Sequence, residues 1–360
     1  MIKQIVKTLD GNEAAADVAY NFTEVATIYP ITPSSPMAEH VDVWSANGRK
    51  NLFGQPVKLV EMQSEAGAIG AVHGASETGS LCSSFTASQG LMLMIPVMHR
   101  LSGELKPVVL HIAARTVGTH TMSIFGDHSD VMGCRNTGWA MLCSASVQEC
   151  ADLAAVAHLS TIKGRVPFMH FFDGFRTSHE IQKIKMLPAE ELGKLIDRDA
   201  LYHFKHTGLN PEHPVMRSTV TNPDMFFQSR EANNPWYQRL PYIVQDYMDQ
   251  ISELTGRPYH LFDYYGAPDA EHVVIAMGSV TGAIQETIDK LCKEGKKVGF
   301  IQVHLYRPFS LEHFMKAMPD TVRTITVMDR TKEPGALGEP LYEDVCAAMS
   351  HVKQDVTVLA

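Results

Sequence analysis

The sequence predicts an α/β protein built on a doubly wound parallel sheet. Short apolar runs alternate with helix-like segments from residue 1 to about residue 175. These runs are continuous rather than alternating, as expected for strands that are buried on both faces. Strands that alternate with helices are typical of a parallel sheet covered by helices. The predicted strands are 26–29, 57–62, 81–86, 108–113, 140–143 and 166–172.

A second α/β unit is predicted to begin at His272. Its expected strands are 273–277, 298–303, 324–328 and 356–359, and its expected helices are 283–294, 311–318 and 341–349. The clearest helix of the first unit is predicted over 147–163, behind a capping box formed by Ser146 and Glu149.

We divide the chain into a first domain, 1–255, and a second domain, 256–360. The end of the first domain, 176–255, is rich in Asn, Pro, His and Tyr, which predicts an irregular wrap or linker with some helix near 242–255. The sequence stops on a predicted core strand, whereas termini usually lie at the surface. We therefore expect the second domain to be truncated and the chain to be a piece of a longer polypeptide.

Composition restricts the partners. The net charge is −9, the pI is about 6.0, and Lys and Arg are not clustered, so we expect neither nucleic acid nor a membrane surface as a partner. The longest apolar run, 91–98, is far shorter than the ~20 residues of a membrane-spanning helix. The six cysteines never form a Cys-x-x-Cys pair, which predicts reduced thiols and a cytoplasmic location.

Three chemically useful side chains follow predicted strands. Thr32 lies between two prolines, Glu65 precedes a helix, and Arg115 ends an apolar run. Open α/β sheets bind ligands at the carboxyl edge of their strands, so these residues are candidates for one shared site. The loop 86–90 follows another strand and is a candidate lining of the same cleft.

Each candidate has an ordinary alternative. Glu65 can simply complement a helix dipole, Arg115 can be a solvated charge, and the Thr32 hydroxyl can bond to its own turn. Functionally, a buried carboxyl can hydrogen-bond the aminopyrimidine of a thiamine-type cofactor, and a guanidinium can grip a substrate carboxylate in bidentate fashion. The helix after Glu65 carries several glycines, which predicts close packing against the sheet or another subunit, or close approach of a cofactor.

Two further motifs receive weaker interpretations. The turn 278–282 follows a strand and opens a helix, so it is a possible phosphate cradle, but helix–strand packing is the better interpretation. Residues 127–130 offer three possible metal ligands, but we interpret them as a polar turn near the mouth of the site and assign no metal to this chain.

The same motifs resemble the amino-terminal part of the single-chain pyruvate:ferredoxin (flavodoxin) oxidoreductases. The resemblance rests on Ala-Thr-Ile-Tyr-Pro-Ile-Thr-Pro-Ser-Ser-Pro at 26–36, Glu-Met-Gln-Ser-Glu-Ala-Gly at 61–67, Thr-Ala-Ser-Gln-Gly-Leu at 86–91 and Ile-Phe-Gly-Asp-His-Ser-Asp at 124–130. It extends through the whole chain and includes Arg-Pro-Phe at 307–309.

The resemblance implies an enzyme that uses thiamine diphosphate and coenzyme A to convert pyruvate to acetyl-CoA and CO₂. Electrons would pass through [4Fe-4S] clusters to ferredoxin or flavodoxin. The resemblance further implies a pyrimidine-binding first domain, a second domain like the carboxyl-terminal domain of transketolase, and a homodimer. Glu65 resembles the catalytic glutamate that binds the pyrimidine, while Thr32 and Arg115 resemble the catalytic residues that contact pyruvate.

The chain lacks several parts of that enzyme. It has no Gly-Asp-Gly motif to hold magnesium and diphosphate, and no cysteine motif for a cluster. The sites for magnesium, [4Fe-4S] clusters and coenzyme A are therefore expected outside this chain, and the chain alone is expected to be inactive. Two rivals stay open: an α subunit of a multi-subunit 2-oxoacid:ferredoxin oxidoreductase, and a non-catalytic assembly module.

Overall fold

The structure is a computed structural model that describes residues 2–217, 219–352 and 355–360. The strands are β1 (Ile5–Leu9), β2 (Val25–Ile28), β3 (Lys58–Glu61), β4 (Cys82–Thr86), β5 (Val108–Ala114), β6 (Ala140–Ser144), β7 (Phe168–Asp173), β8 (Gln182–Met186), β9 (Phe262–Gly266), β10 (His272–Ala276), β11 (Val298–Val303), β12 (Leu305–Arg307), β13 (Thr324–Met328) and β14 (Thr357–Leu359). The helices are α1 (Gly11–Phe22), α2 (Ser35–Ala46), α3 (Glu65–Glu77), α4 (Ser88–Gly103), α5 (Ser129–Gly133), α6 (Val147–Gly164), α7 (Ala189–Lys194), α8 (Arg198–His206), α9 (Pro223–Glu231), α10 (Asn234–Thr255), α11 (Val280–Lys293), α12 (Leu311–Ala317) and α13 (Pro340–Ser350).

A seven-stranded sheet organises the first half of the chain, in the order β12-β6-β7-β5-β4-β2-β3. All of its neighbouring pairs are parallel except β12 with β6. Every residue of β4, β5, β6 and β7 is buried, which explains why these strands are continuous apolar or small-residue runs in the sequence. The predicted doubly wound parallel sheet is confirmed.

The strand order places a crevice at the carboxyl ends of β2 and β4. The chain leaves β2 for β3 on one side and then returns to β4 on the other side of β2. Such a reversal opens a crevice between the two following connections, where ligands of open α/β sheets bind. Helix α3, which links β3 to β4, packs against both β2 and β4. The first residues of α3 therefore lie beside this crevice.

The second unit is a five-stranded sheet in the order β14-β13-β10-β11-β9. The predicted elements are all present, with ends shifted by at most three residues. Strand β9 was not predicted; it pairs antiparallel with β11 at the edge of the sheet.

The segment 176–255 is more regular than the predicted irregular wrap. It contains β8, which pairs antiparallel with β1, and the helices α7 to α10. Helix α10 begins at Asn234, eight residues before the predicted start at 242, and continues through Pro241. Its amphipathic face packs on α6, which stabilises it in spite of the internal proline.

Most of the cysteine side chains lie in the core. All six cysteines are free, and Cys82, Cys134, Cys143 and Cys150 are buried. Burial raises the pKa of each of these four thiols. Among the helices that the structure describes, none combines the length and apolar character needed to cross a membrane.

His304, the residue before β12, contacts both the seven-stranded and the five-stranded sheet. The peptide N–H of Cys143 donates to the His304 carbonyl at 2.8 Å, while the His304 ring contacts Asp263 at 3.1 Å and lies 3.8 Å from Glu149. The residue is only 1% exposed. Burial disfavours the charged imidazolium, but Glu149 and Asp263 outweigh it and raise the pKa of His304 to about 9.

Replacing His304 by glutamine is expected to destabilise the chain in a pH-dependent way. The pKa of His304 in the folded state lies above the unfolded value of ~6.5. The charged imidazolium therefore contributes its full stabilisation of the folded state below pH ~6.5, and this stabilisation disappears as the pH rises through about 9. The difference in free energy of unfolding between wild type and His304→Gln should shrink by about 3 kcal/mol between pH 6.5 and pH 10. Urea unfolding at the two pH values measures it, with the exposed His272→Gln as control. A difference that does not change with pH would contradict the ion-pair assignment.

Candidate functional site

Glu65 is a buried carboxylate at the start of α3. The helix begins directly after the β3 connection, and the Ser64 hydroxyl caps it by accepting the Gly67 N–H at 3.2 Å. Because Ser64 already provides the cap, Glu65 is not needed for it. Glu65 is only 6% exposed, and no hydrogen bond or ion pair joins its side chain to another of the residues described. A largely buried carboxylate without an internal partner is uncommon, and such a group is typical of a ligand-binding site.

The first turn of α4 lies directly against this carboxylate. A Cβ atom placed on Gly90 would be 2.5 Å from Glu65 Oε1 and 2.8 Å from Thr86 Oγ1. Only glycine therefore leaves the Glu65 side chain in its present position. The Thr86 hydroxyl is fully buried and has no hydrogen-bond partner within the described part of the chain. A carboxylate and a hydroxyl thus lie together with unused hydrogen-bonding capacity.

Arg115 follows β5 and is buried, with a relative exposure of 7%. Its Nη1 donates to the Thr32 carbonyl at 2.8 Å, and its Nη2 donates to Gln89 Oε1 at 2.8 Å. Its Nε is buried without an acceptor among the described residues. Burial lowers the pKa of Arg115, and the negative charge of Asp130 opposes that shift. One N–H of the guanidinium is therefore held in place and left for an acceptor.

Thr32 meets Arg115 through its backbone. A role is predicted for the Thr32 hydroxyl, whereas the contact with Arg115 is made by the Thr32 carbonyl, and the residue is exposed. The peptide bond between Thr32 and Pro33 is cis. The next carbonyl, that of Pro33, accepts from the buried Asn12 amide at 2.9 Å. The loop is thus fixed through two successive carbonyl groups, and the Thr32 hydroxyl stays free to meet a ligand.

The segment 127–130 is a structural anchor as well as a polar turn. Asp127 Oδ1 accepts the Ser129 N–H at 2.6 Å, as expected of a turn. His128 and Asp130 are buried, which the sequence did not indicate. Asp130 accepts backbone N–H groups of Ser88 and Arg115. The segment therefore lies behind the candidate site and holds its parts together.

The turn 278–282 binds a carboxylate of the protein itself. Asp173 at the end of β7 accepts the Ser279 N–H at 2.8 Å and also bonds the Ser279 hydroxyl. The same carboxylate contacts His128 and Arg330, each at 2.6 Å. Burial opposes ionisation, but His128 and Arg330 hold the pKa of Asp173 below its usual range. The start of α11 is thus occupied by an internal anion, and the turn joins the two units in addition to packing a helix on a strand.

A separate cluster of one histidine and two glutamates is a poor candidate for a metal centre. His73, Glu77 and Glu104 are near enough to share an ion. However, Lys106 and Arg217 contact Glu77 at 2.7 Å and 2.5 Å. Although burial raises the pKa of Glu77, these cations lower it to about 2. The negative charge that a divalent cation requires is already neutralised.

The three predicted residues therefore lie along one sheet edge, after β2, β3 and β5. The loop 86–90 connects them, because Gln89 contacts Arg115 and Gly90 contacts Glu65. Sequence reasoning missed the anchoring roles of Asn12 and Asp130. Their only signal in the sequence is a polar residue in an otherwise apolar neighbourhood. The arrangement can bind an anion beside a carboxyl group that can hydrogen-bond a ligand.

Two family models match the chain. The family model for pyruvate flavodoxin/ferredoxin oxidoreductase, thiamine diphosphate-binding, matches residues 17–249. The model for pyruvate:ferredoxin oxidoreductase core domain II matches residues 270–360.

Several relatives are similar along nearly the whole chain. The chain is 61% identical to a pyruvate:ferredoxin oxidoreductase of Moorella thermoacetica over 98% of its length. It is 62% identical to a pyruvate-flavodoxin oxidoreductase of Klebsiella pneumoniae over 96% of its length. It is 52% identical to a mitochondrial pyruvate dehydrogenase [NADP(+)] of Euglena gracilis over 96% of its length, which is 19% of that protein. The chain spans about 30% of the length of the first two relatives.

Solved structures show the same fold at low identity. A 2-oxoglutarate:ferredoxin oxidoreductase from Magnetococcus marinus superposes with a TM-score of 0.70 at 18% identity, over 99% of this chain and 62% of that one. A split-gene transketolase superposes with a TM-score of 0.54 at 9% identity, over 97% of this chain and 86% of that one. At these identities the likeness concerns the fold alone.

The fold and the family models define an α/β protein of two units, the first of which matches a thiamine diphosphate-binding family. Within this class, the chain belongs to the pyruvate flavodoxin/ferredoxin oxidoreductase family and covers its amino-terminal, thiamine diphosphate-binding part.

Proposed function

We propose that this chain supplies the pyrimidine-binding half of the active site of a pyruvate:ferredoxin or pyruvate:flavodoxin oxidoreductase. The assembled enzyme would convert pyruvate and coenzyme A to acetyl-CoA and CO₂ and pass two electrons to its acceptor. The single observation that carries the proposal is the buried, unpartnered Glu65 carboxylate beside Gly90, on the same sheet edge as Arg115.

The residues present fit the cofactor and the substrate. Thr86 Oγ1 and Arg115 Nε are buried polar atoms without partners in the described structure, and Glu65 adds a carboxyl group between strand ends. A heteroaromatic ring with donor and acceptor nitrogens would satisfy the carboxyl and the hydroxyl. A small carboxylate would satisfy the free N–H of the guanidinium.

Each residue then has a defined task. When bound, thiamine diphosphate supplies a carbon nucleophile for the 2-oxo group and a place for the electrons of the broken C–C bond. Glu65 would hold a proton at ring atom N1′ and so favour the tautomer that can act as a base. Arg115 would bind and orient the carboxylate of pyruvate, and the exposed Thr32 hydroxyl would contact the same substrate.

The remaining cofactors are assigned to other parts of the assembled enzyme. Magnesium, the [4Fe-4S] clusters and coenzyme A would bind outside residues 1–360. We place the pyrimidine-binding unit at 1–255 and the transketolase-like unit at 256–360.

We also propose a homodimer in the cytoplasm. Helix α3 exposes Ala66, Gly70 and Gly74, with open space above the two glycines, and small residues of this kind allow a close helix approach. Buried free thiols are typical of reducing compartments. Ultracentrifugation that gives a monomeric enzyme, or fractionation that recovers it outside the cytoplasm, would contradict the respective assignment.

The function is tested with the assembled oxidoreductase that contains this chain. We expect pyruvate- and coenzyme A-dependent reduction of ferredoxin or flavodoxin, with one acetyl-CoA and one CO₂ formed per two electrons. The isolated chain should show no activity, and in calorimetry it should bind thiamine diphosphate more weakly than about 1 mM, because it provides only the pyrimidine contacts. Millimolar or tighter binding by the isolated chain would contradict the half-site assignment, and absence of pyruvate-dependent reduction by the assembled enzyme would contradict the function.

A further inference from the structure

Asp130 is a fully buried carboxylate that joins three segments of the chain. Its Oδ2 accepts the Ser88 N–H at 2.8 Å and the Arg115 N–H at 3.0 Å, and its Oδ1 accepts the Val131 N–H at 2.7 Å. Ser88 begins α4 after β4, and Arg115 follows β5. One side chain thus fixes the two strand ends that carry the candidate site.

Ser88 needs this support because of its backbone conformation. Its φ is +50°, in the left-handed region that residues with a Cβ atom rarely adopt. Asp130 holds its N–H, and the Thr116 carbonyl accepts its hydroxyl at 2.5 Å. The result is a sharp entry into α4 that places Gln89 beside Arg115.

Arg115 is therefore positioned at both of its ends. Its backbone N–H is bound by Asp130, and its Nη2 donates to Gln89, whose place is set by Ser88. Both routes begin at the same carboxylate. Asp130 also puts a negative charge behind the guanidinium, which reduces the cost of burying the positive charge.

We propose that Asp130 is the positioning residue for substrate binding, and that it holds the Arg115 guanidinium in the orientation that accepts the carboxylate of a small 2-oxo acid. The proposal rests on the function proposed above. Asp130 touches neither substrate nor cofactor in this role. Its effect reaches the substrate through Arg115, and it requires both the bond to the Arg115 N–H and the route through Ser88 and Gln89.

The first test is Asp130→Asn in the assembled oxidoreductase. Asparagine keeps the size but removes the negative charge behind the guanidinium and leaves one acceptor oxygen, so either the Val131 bond or the shared Ser88 and Arg115 bonds are lost. We expect the KM for pyruvate to rise about 10- to 100-fold, as for the loss of one buried acceptor. Hydrogen–deuterium exchange at the thiazolium carbon, measured without pyruvate, should stay within twofold of wild type because it does not involve Arg115. Asp42→Asn is the control: it makes the same substitution at an exposed carboxylate of α2 and should leave KM unchanged.

A double-mutant cycle separates positioning from a general structural effect. If Asp130 acts through Arg115, then Asp130→Asn should change KM less than twofold in an Arg115→Ala background. An equal KM increase in both backgrounds would overturn the proposal, and so would a wild-type KM in the single variant. A wild-type KM in Arg115→Ala itself would overturn the proposed substrate role of Arg115 together with this inference.

A third variant covers the case in which Asp130→Asn does not fold. Gln89→Met leaves the buried carboxylate in place and removes the side-chain acceptor of Arg115. We expect the KM for pyruvate to rise at least fivefold, with thiazolium exchange unchanged. A wild-type KM for Gln89→Met would overturn the Ser88–Gln89 route and with it the proposal.

Discussion

Replacement of Glu65 by glutamine is expected to slow proton exchange at the thiazolium carbon of the assembled enzyme by about 10²- to 10⁴-fold. Glutamine fits the same space beside Gly90 but cannot hold a transferable proton. The effect should appear without pyruvate or coenzyme A, because the residue acts on the cofactor and not on the substrate. Turnover should fall by a similar factor, since every later step requires the ionised carbon.

The matched control for this variant is Glu61→Gln. The same substitution is then made four residues earlier, at the exposed end of β3. Both variants lose one negative charge, so any general effect of charge on the fold is shared. If the rates of thiazolium proton exchange and of turnover in Glu65→Gln stayed within a few-fold of wild type, the catalytic assignment of Glu65 would be wrong. The hypothesis of a non-catalytic assembly module would then be favoured.

Replacement of Arg115 by alanine is expected to lower kcat/KM for pyruvate by about 10²- to 10³-fold, mostly through KM. Truncation of a buried charged partner typically costs ~2–5 kcal/mol. The structure supports a value in this range, because Arg115 is 7% exposed and its Nε has no acceptor among the described residues. Arg115→Lys should recover only part of the loss, since an ammonium group cannot reproduce the planar fork. The measurement is steady-state kinetics with pyruvate as the varied substrate.

Two controls make this result specific. Arg100→Ala removes an exposed arginine from α4 and should leave kcat/KM unchanged. Thiazolium exchange in Arg115→Ala should stay at the wild-type rate, in contrast to Glu65→Gln. A variant that loses exchange and pyruvate affinity together would show that Arg115 maintains the cofactor pocket, which is not the role proposed here.

The central sheet was predictable because its strands are buried on both faces. Strands such as β5 and β7 are predicted from mainly apolar runs in the sequence. The ends of these runs lie close to the ends of the strands. The strands that were missed are of another kind. β1 and β8 are partly exposed and pair across more than 170 residues, β9 is an antiparallel edge strand, and β12 has three residues. Local patterns carry no information about such pairing.

Helix α10 shows how a local rule is overridden. A proline inside a helix removes a donor and usually marks a boundary, and the predicted helix, near 242–255, lies after Pro241. In the structure the helix extends from Asn234, and its apolar side, including Leu240 and Val244, is buried. Tertiary packing outweighs the local cost.

The candidate site was predictable in its members but not in its contacts. The positions of Glu65 and Arg115 after strands were enough to place them on one edge of the sheet. The close contact of Gly90 with Glu65, and the contact of the Thr32 carbonyl rather than its hydroxyl with Arg115, depend on loop geometry. Asp130 acts through backbone N–H groups, and such bonds leave no pattern in a sequence.

The most direct measurement is a crystal structure of the assembled oxidoreductase with thiamine diphosphate bound. The account predicts that the Glu65 carboxyl group hydrogen-bonds the aminopyrimidine ring, and that Gly90 lies against the same carboxyl group. A Glu65 side chain that points into solvent, away from the bound cofactor, would contradict the account.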